Sequence, residues 1–138
     1  MSTNKKIGFT CSCFDLLHAG HILMLKDAKK QCDYLIVGLQ TDPSIDRPNE
    51  KNQPLQSLKE RKIQLEAVKY IDKIIVYKTE KELYVLLKEI MPDIRILGND
   101  YINKKFTGND LNIKTYYHNR NHNYSSSALR EKIISIEK

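Results

Sequence analysis

At 138 residues the chain has room for one domain, and 41% hydrophobic content supplies a core without any Pro- or Gly-rich tract to divide it. The formal charge of +6 suits an anionic ligand such as a nucleotide or a nucleic acid, although lysines spread over solvated helices give the same sum. Three cysteines (Cys11, Cys13, Cys32) and a first segment without an apolar run argue against a secreted disulfide framework, and no apolar stretch is long enough to span a membrane; the expectation is a cytoplasmic protein with reduced thiols.

Ile7-Gly8-Phe9-Thr10-Cys11 reads as the first strand. Gly20 to about Gln31 places Ile22, Leu23, Leu25 and Ala28 at helical spacing, with Lys26, Lys29 and Lys30 outward. Tyr34-Leu35-Ile36-Val37-Gly38-Leu39 is a continuous apolar run, the pattern of a strand covered on both faces. Periodicity vanishes from Gln40 to Gln56, where Pro43, Pro48 and Pro54 mark a loop of functional length. Ser57 with Glu60 has the spacing of a capping box, opening a helix with Leu58, Ile63, Leu65, Ala67 and Val68 as apolar positions. Lys73 to Tyr77 is the next strand. Thr79 with Glu82 repeats the capping signature before the stripe Leu83, Leu86, Leu87 and Ile90, and Pro92 closes that helix. Ile94-Arg95-Ile96-Leu97 is a strand, Gly98 to Asp110 a polar loop and Leu111 to Tyr117 a weaker strand. Ser125 to Ile136 is a last helix with Leu129, Ile133, Ile134 and Ile136 inward.

This alternation predicts a single Rossmann-like, doubly wound α/β domain over residues 1–138 with a mostly parallel five-stranded sheet. Ligands of such sheets bind beyond the carboxyl ends of the strands. The loops after the first, second, fourth and fifth strands are expected to meet on that rim.

Two of those loops carry chemistry. His18-Ala19-Gly20-His21 sets two imidazoles three residues apart at a helix start, where free N–H groups and the helix dipole already favour an anion. Gly20 removes a side chain where a phosphate would approach the backbone. Alone the pattern is a weak signal, since surface capping residues produce it too. No second Cys/His pair accompanies Cys11-x-Cys13, which reads as two small buried hydrophobes and not as half a metal site. Asn123-Tyr124-Ser125 matches a glycosylation sequon that a cytoplasmic chain does not use. Arg120 to Arg130 then offers a guanidinium followed by Ser125, Ser126 and Ser127 at a helix N-terminus, again an anion site, with one serine also serving as the cap.

Together these segments resemble the small cytidylyltransferases of the H-x-G-H nucleotidyltransferase superfamily, and in size and pattern the chain is similar to the glycerol-3-phosphate cytidylyltransferases. The family pattern Gly-Thr-Phe-Asp-x-x-His-x-Gly-His is matched by Ser12 to His21, and Arg-Thr-x-Gly-Ile-Ser-Thr-Thr by Arg120 to Ser127. Thr41-Asp42, Arg61, Tyr70-Ile71-Asp72 and Gly98-Asn99-Asp100-Tyr101 also fit. Ser12, Asn121 and Asn123 depart from the pattern, as does Lys69, where the glycerol-phosphate enzymes carry an arginine near the base.

The resemblance implies transfer of CMP from CTP to a polyol phosphate, giving CDP-glycerol for a cell-surface polysaccharide or teichoic acid, with release of pyrophosphate. It implies His18, His21 and Arg120 as catalytic residues. It implies nucleotide contacts from Cys13, Phe14, Asp15, Gly20, Lys69, Asn121, Tyr124, Ser125, Ser126 and Ser127, and acceptor contacts from Asp42, Arg47, Lys51 and Asp100. Mg²⁺ would ride on the nucleotide phosphates with no direct protein ligand, and the protein would be a homodimer without nucleic-acid or membrane partners. An adenylyltransferase acting on a heptose phosphate or on FMN shares the same motif and stays open. So does a nucleotide- or nucleic-acid-binding module without turnover.

Overall fold

The structure, a computed structural model, describes residues 5–120 and 122–137. In chain order it contains β1 (Ile7–Ser12), α1 (Ala19–Lys30), β2 (Tyr34–Gln40), α2 (Leu58–Glu66), β3 (Lys73–Tyr77), α3 (Glu80–Ile90), β4 (Ile94–Gly98), a 3₁₀ turn (Asn99–Tyr101), β5 (Lys114–His118) and α4 (Ser126–Glu137). The five strands form one sheet in the order β3-β2-β1-β4-β5, and every pair is parallel. The order reverses between β1 and β4, and the crevice of an open α/β sheet lies at such a reversal.

Strand alternation divides the interior into two layers. Leu35, Val37, Leu39, Ile94 and Ile96 point to the face covered by α1 and α2, where Leu25, Ala28 and Leu65 complete a buried cluster. Phe9, Ile36 and Tyr77 point to the other face and pack with Leu83 and Leu87 of α3. Both faces of β2 are buried, as its unbroken apolar run requires.

Local signals placed the helix starts well. Ser57 accepts the Glu60 N–H while Glu60 Oε1 accepts the Ser57 N–H, a complete capping box. Thr79 forms only half of one: its hydroxyl accepts the Glu82 N–H, but the Glu82 carboxylate takes the N–H of Lys78. The expected parallel five-stranded sheet is present, with every strand pair parallel. Three expectations need correction. β5 starts at Lys114, because Leu111 and Ile113 close tight turns onto Gly108 and Leu111 and pack under α3. Ile63 lies on the outer side of α2, which ends with Ala67 as its cap. On α4, Ile133, Ile134 and Ile136 are 55%, 57% and 71% exposed, so its apolar stripe is not part of the core.

Candidate active site

The chain leaves β1 through a tight turn in which Phe14 and Leu16 hold φ of +49° and +53°. Side chains larger than glycine seldom occupy that region, so something must fix it. The Phe14 ring is buried in the core. The Leu16 N–H donates to Gln56 Oε1 at 2.9 Å. The Asp15 carboxylate accepts the N–H groups of Leu55 and Gln56 at 2.9 and 3.0 Å and pairs with Arg130 of α4 at 2.7 Å. The turn is thereby tied both to the loop after β2 and to the last helix.

The turn delivers His18 as the N-cap of α1. Its Nδ1 accepts the Gly20 N–H at 3.0 Å, and His21 Nδ1 accepts the His18 N–H at 3.1 Å. With both Nδ1 atoms accepting, the neutral rings carry their protons on Nε2, which leaves two donors for a ligand. The rings stack with centroids 3.8 Å apart. Burial, then the charges of His18 and Arg120, push His21 down to about 3. Burial followed by Arg120 also lowers His18 and His122. These imidazoles are neutral donors at pH 7. A Cβ on Gly20 would lie 2.8 Å from His18 Cε1 and 2.9 Å from His122 Cε1, so the glycine lets three rings share one end of the helix.

A cleft of about 740 Å³ opens over the carboxyl ends of the strands. All four histidines of the chain line it. His118, at the end of β5, is held by Asp27 of α1 at 2.7 Å, and Tyr116 donates to the same carboxylate. His122 stacks on Tyr124 and accepts the Tyr124 N–H on Nδ1. The Nε2 atoms of His118 and His122 are buried without a partner among the described residues.

Of the expected residues, Cys13, His18, Gly20, His21, Arg120, Tyr124, Ser125 and Ser126 line the cleft, as do Arg47, Lys51 and Asp100. Arg120 is exposed and donates to the Tyr124 carbonyl. Ser125 caps α4 by accepting the Ala128 N–H, and Ser126 donates to the Asp15 carbonyl at 2.8 Å, so the two chain segments meet directly. Asn121 lies outside the described residues.

The remaining expectations fall elsewhere. Phe14 is a core residue, and Asp15 faces Leu55, Gln56 and Arg130 in the interior. Ser127 is on the outer side of α4. Asp42 makes an Asx turn, accepting the N–H and hydroxyl of Ser44. Lys69 stands over the Tyr70 ring on the surface. It precedes β3, at the amino ends of the strands, whereas the cleft is at their carboxyl ends.

His118, Gln40, Glu80, Arg95 and Thr107 line the cleft as well, none of them among the expected site residues. Arg95 had a signal: one charge inside an otherwise apolar strand. Arg61 is also absent from the expected site residues, although it is 2% exposed and donates to the carbonyls of Cys13, Gln40, Thr41 and Gln56. It clamps the ends of β1 and β2 and adds positive charge beneath the cleft. Among the described residues no three His, Cys, Asp or Glu side chains gather into a metal site, and no helix is long and apolar enough to cross a membrane.

A model of the cytidylyltransferase-like family matches residues 9–132. The chain is 39% identical over 129 residues to the bifunctional protein HldE of Helicobacter pylori strain ATCC 700392 / 26695, covering 94% of this chain and 28% of that protein. It is 40% identical over 110 residues to the HldE of Wolinella succinogenes, covering 80% and 23%. It thus spans about a quarter of the length of the curated relatives it matches. In fold it is similar to a lipopolysaccharide core biosynthesis protein from Thermoplasma volcanium GSS1, with a TM-score of 0.61, 24% identity and coverage of 97% and 90%. It is similar also to pantoate-beta-alanine ligase from Francisella tularensis, with a TM-score of 0.61, 20% identity and coverage of 100% and 72%.

Proposed function

This chain belongs to the cytidylyltransferase-like family of nucleotidyltransferases, and on that premise we propose that it transfers AMP from ATP to a heptose phosphate with release of pyrophosphate. The observation that carries nucleotidyl transfer is the wall formed by the two Nε2–H donors of His18 and His21, with Arg120 and the N-terminus of α4 beside them. The similarity to the HldE proteins favours the adenylyl and heptose reading over CMP transfer to glycerol 3-phosphate.

An oxygen of the acceptor phosphate attacks the α-phosphorus of the nucleotide. The new P–O bond forms as the bond from the α-phosphorus to the bridging oxygen breaks, and pyrophosphate leaves with that electron pair. The acceptor already carries a nucleophilic oxyanion, so the protein supplies position and charge stabilisation. His18 and His21 donate to the phosphate oxygens on which charge accumulates. Arg120 and the first N–H groups of α4 hold the leaving pyrophosphate. Arg47 and Lys51, on the loop side of the cleft, meet the acceptor phosphate. Mg²⁺, carried by phosphate oxygens, would neutralise part of the triphosphate charge.

A pyrophosphate-release screen of ATP, CTP, GTP and UTP against heptose phosphate, glycerol 3-phosphate, other polyol phosphates and FMN tests the reading. Release with ATP and heptose phosphate is expected. Turnover confined to CTP with glycerol 3-phosphate, or no release with any pair, overturns it.

A further inference from the structure

The cleft continues past the histidines onto the opposite face of the sheet, where a second polar group has no role in the proposed triphosphate contacts of His18, His21, Arg120 and α4. Arg95 sits inside β4 on the face covered by α3 and is only 3% exposed. Among the described residues its guanidinium has no carboxylate partner. One Nη donates to the Thr107 carbonyl, the other lies 3.9 Å from Cys11 Sγ, and Nε is buried without a partner. Across the cleft floor, Gln40, also 3% exposed, donates to Glu80 Oε2 at 3.2 Å, and the Thr107 hydroxyl donates to Glu80 Oε1 at 2.7 Å. The loop bearing Thr107 can come this close because Gly108 holds φ of +86°. A Cβ there would lie 2.7 Å from Leu87 Cδ1 and 3.1 Å from Arg95 Nη1.

The floor therefore offers the Arg95 guanidinium, whose Nε has no partner among the described residues, and one carboxylate, Glu80, with lone pairs to spare. A buried guanidinium nitrogen without an acceptor is costly, and a ligand hydroxyl relieves it by accepting from Arg95 and donating to a carboxylate. Arg95 and Glu80 balance in charge, so the floor suits a neutral polyhydroxy group. Three further cations, Arg47, Lys51 and Lys105, line the same cleft and are available to a phosphate. His18 and His21 lie on the α1 side of the sheet edge and Arg95 and Glu80 on the α3 side. An acceptor whose phosphate reacts at the histidines would meet this floor through a carbon chain that crosses that edge.

We propose that Arg95 and Glu80 are the residues that determine acceptor specificity, binding hydroxyls of a sugar phosphate at a distance from the reacting phosphate. This rests on the sugar-phosphate reading above. The test is calorimetric titration of the full chain with heptose phosphate, glycerol 3-phosphate and inorganic phosphate, for the wild type, Glu80→Gln and Thr107→Val. The wild type is expected to bind heptose phosphate ~10-fold more tightly than glycerol 3-phosphate, as a site built to pair hydroxyls should. Glu80→Gln should bring the two within about threefold and leave the affinity for ATP unchanged, with Thr107→Val intermediate. A Glu80→Gln protein that keeps the tenfold preference, or a wild type that binds all three probes alike, overturns the proposal. Pyrophosphate release measured alongside separates the two readings. Discrimination among the probes without release from ATP overturns the proposed reaction and supports the hydroxyl site.

Discussion

His21 shows how one residue's surroundings set both stability and chemistry. Burial and the neighbouring positive charges hold its folded value near 3, against 6.5 for an ordinary histidine. Between those values the unfolded chain binds a proton that the folded chain refuses. His21's contribution to stability is therefore complete above about pH 6.5 and is lost as pH falls toward 3. Urea midpoints should drop steadily from pH 7 to pH 5, and His21→Gln should flatten that slope; equal slopes in the two proteins would contradict the assignment. His18 and His122 shift in the same direction and add to the effect. The same neutrality bears on catalysis, because a neutral ring with Nδ1 accepting keeps its proton on Nε2, and that donor gains as charge builds on the phosphate oxygens. Steady-state kinetics of His18→Ala should show kcat lower by about 10²-fold or more with nucleotide affinity changed only modestly. Unchanged turnover would remove the histidine from the mechanism.

Among the helices, the ends are better specified than the faces. Ser57, Thr79 and Ser125 each accept an N–H three residues on. These bonds are local, so short sequence spacing reveals them. His18 caps α1 with an imidazole in place of a hydroxyl, accepting the N–H two residues on, so the His18–His21 motif is also a helix start. The C-terminal end of α3 is less well made. Met91 serves as its cap with φ of +43° and is 49% exposed, so a β-carbon is strained there while its side chain packs little. Met91→Gly should stabilise the protein by about 1 kcal/mol and raise Tm by a few degrees in a thermal melt. A lower Tm would mean that the side chain contributes more than its exposure suggests. Faces are harder to read because they depend on what lies opposite. The 3.6 period of Leu129 and Ile133 correctly predicts a helix. Whether a surface covers that stripe is decided by the rest of the fold, which leaves it exposed.

For the whole molecule, the legible part of the site came from the two motifs and the illegible part from topology. His18 to His21 and Arg120 to Ser126 are informative as strings, and an all-parallel sheet with its reversal between β1 and β4 brings them together. Arg95 and Glu80 belong to no string: they share the cleft because strand alternation turns Arg95 toward α3 and the loop at Gly108 closes over it. Lys69 shows the converse, a residue matched by sequence position that the fold carries to the opposite end of the strands. The two ends of the chain already touch through Ser126 and Asp15 and through Arg130 and Asp15. A triphosphate bound between α1 and α4 would add contacts across that same seam. Hydrogen exchange should then show amides near residues 18–22 and 124–128 slowing on addition of ATP and Mg²⁺, because opening either segment would cost the bound ligand. Amides around residues 66–72, next to Lys69, should exchange at unchanged rates. If protection instead appears at 66–72 and spares α4, the nucleotide lies elsewhere and the clamp between the two ends of the chain is wrong.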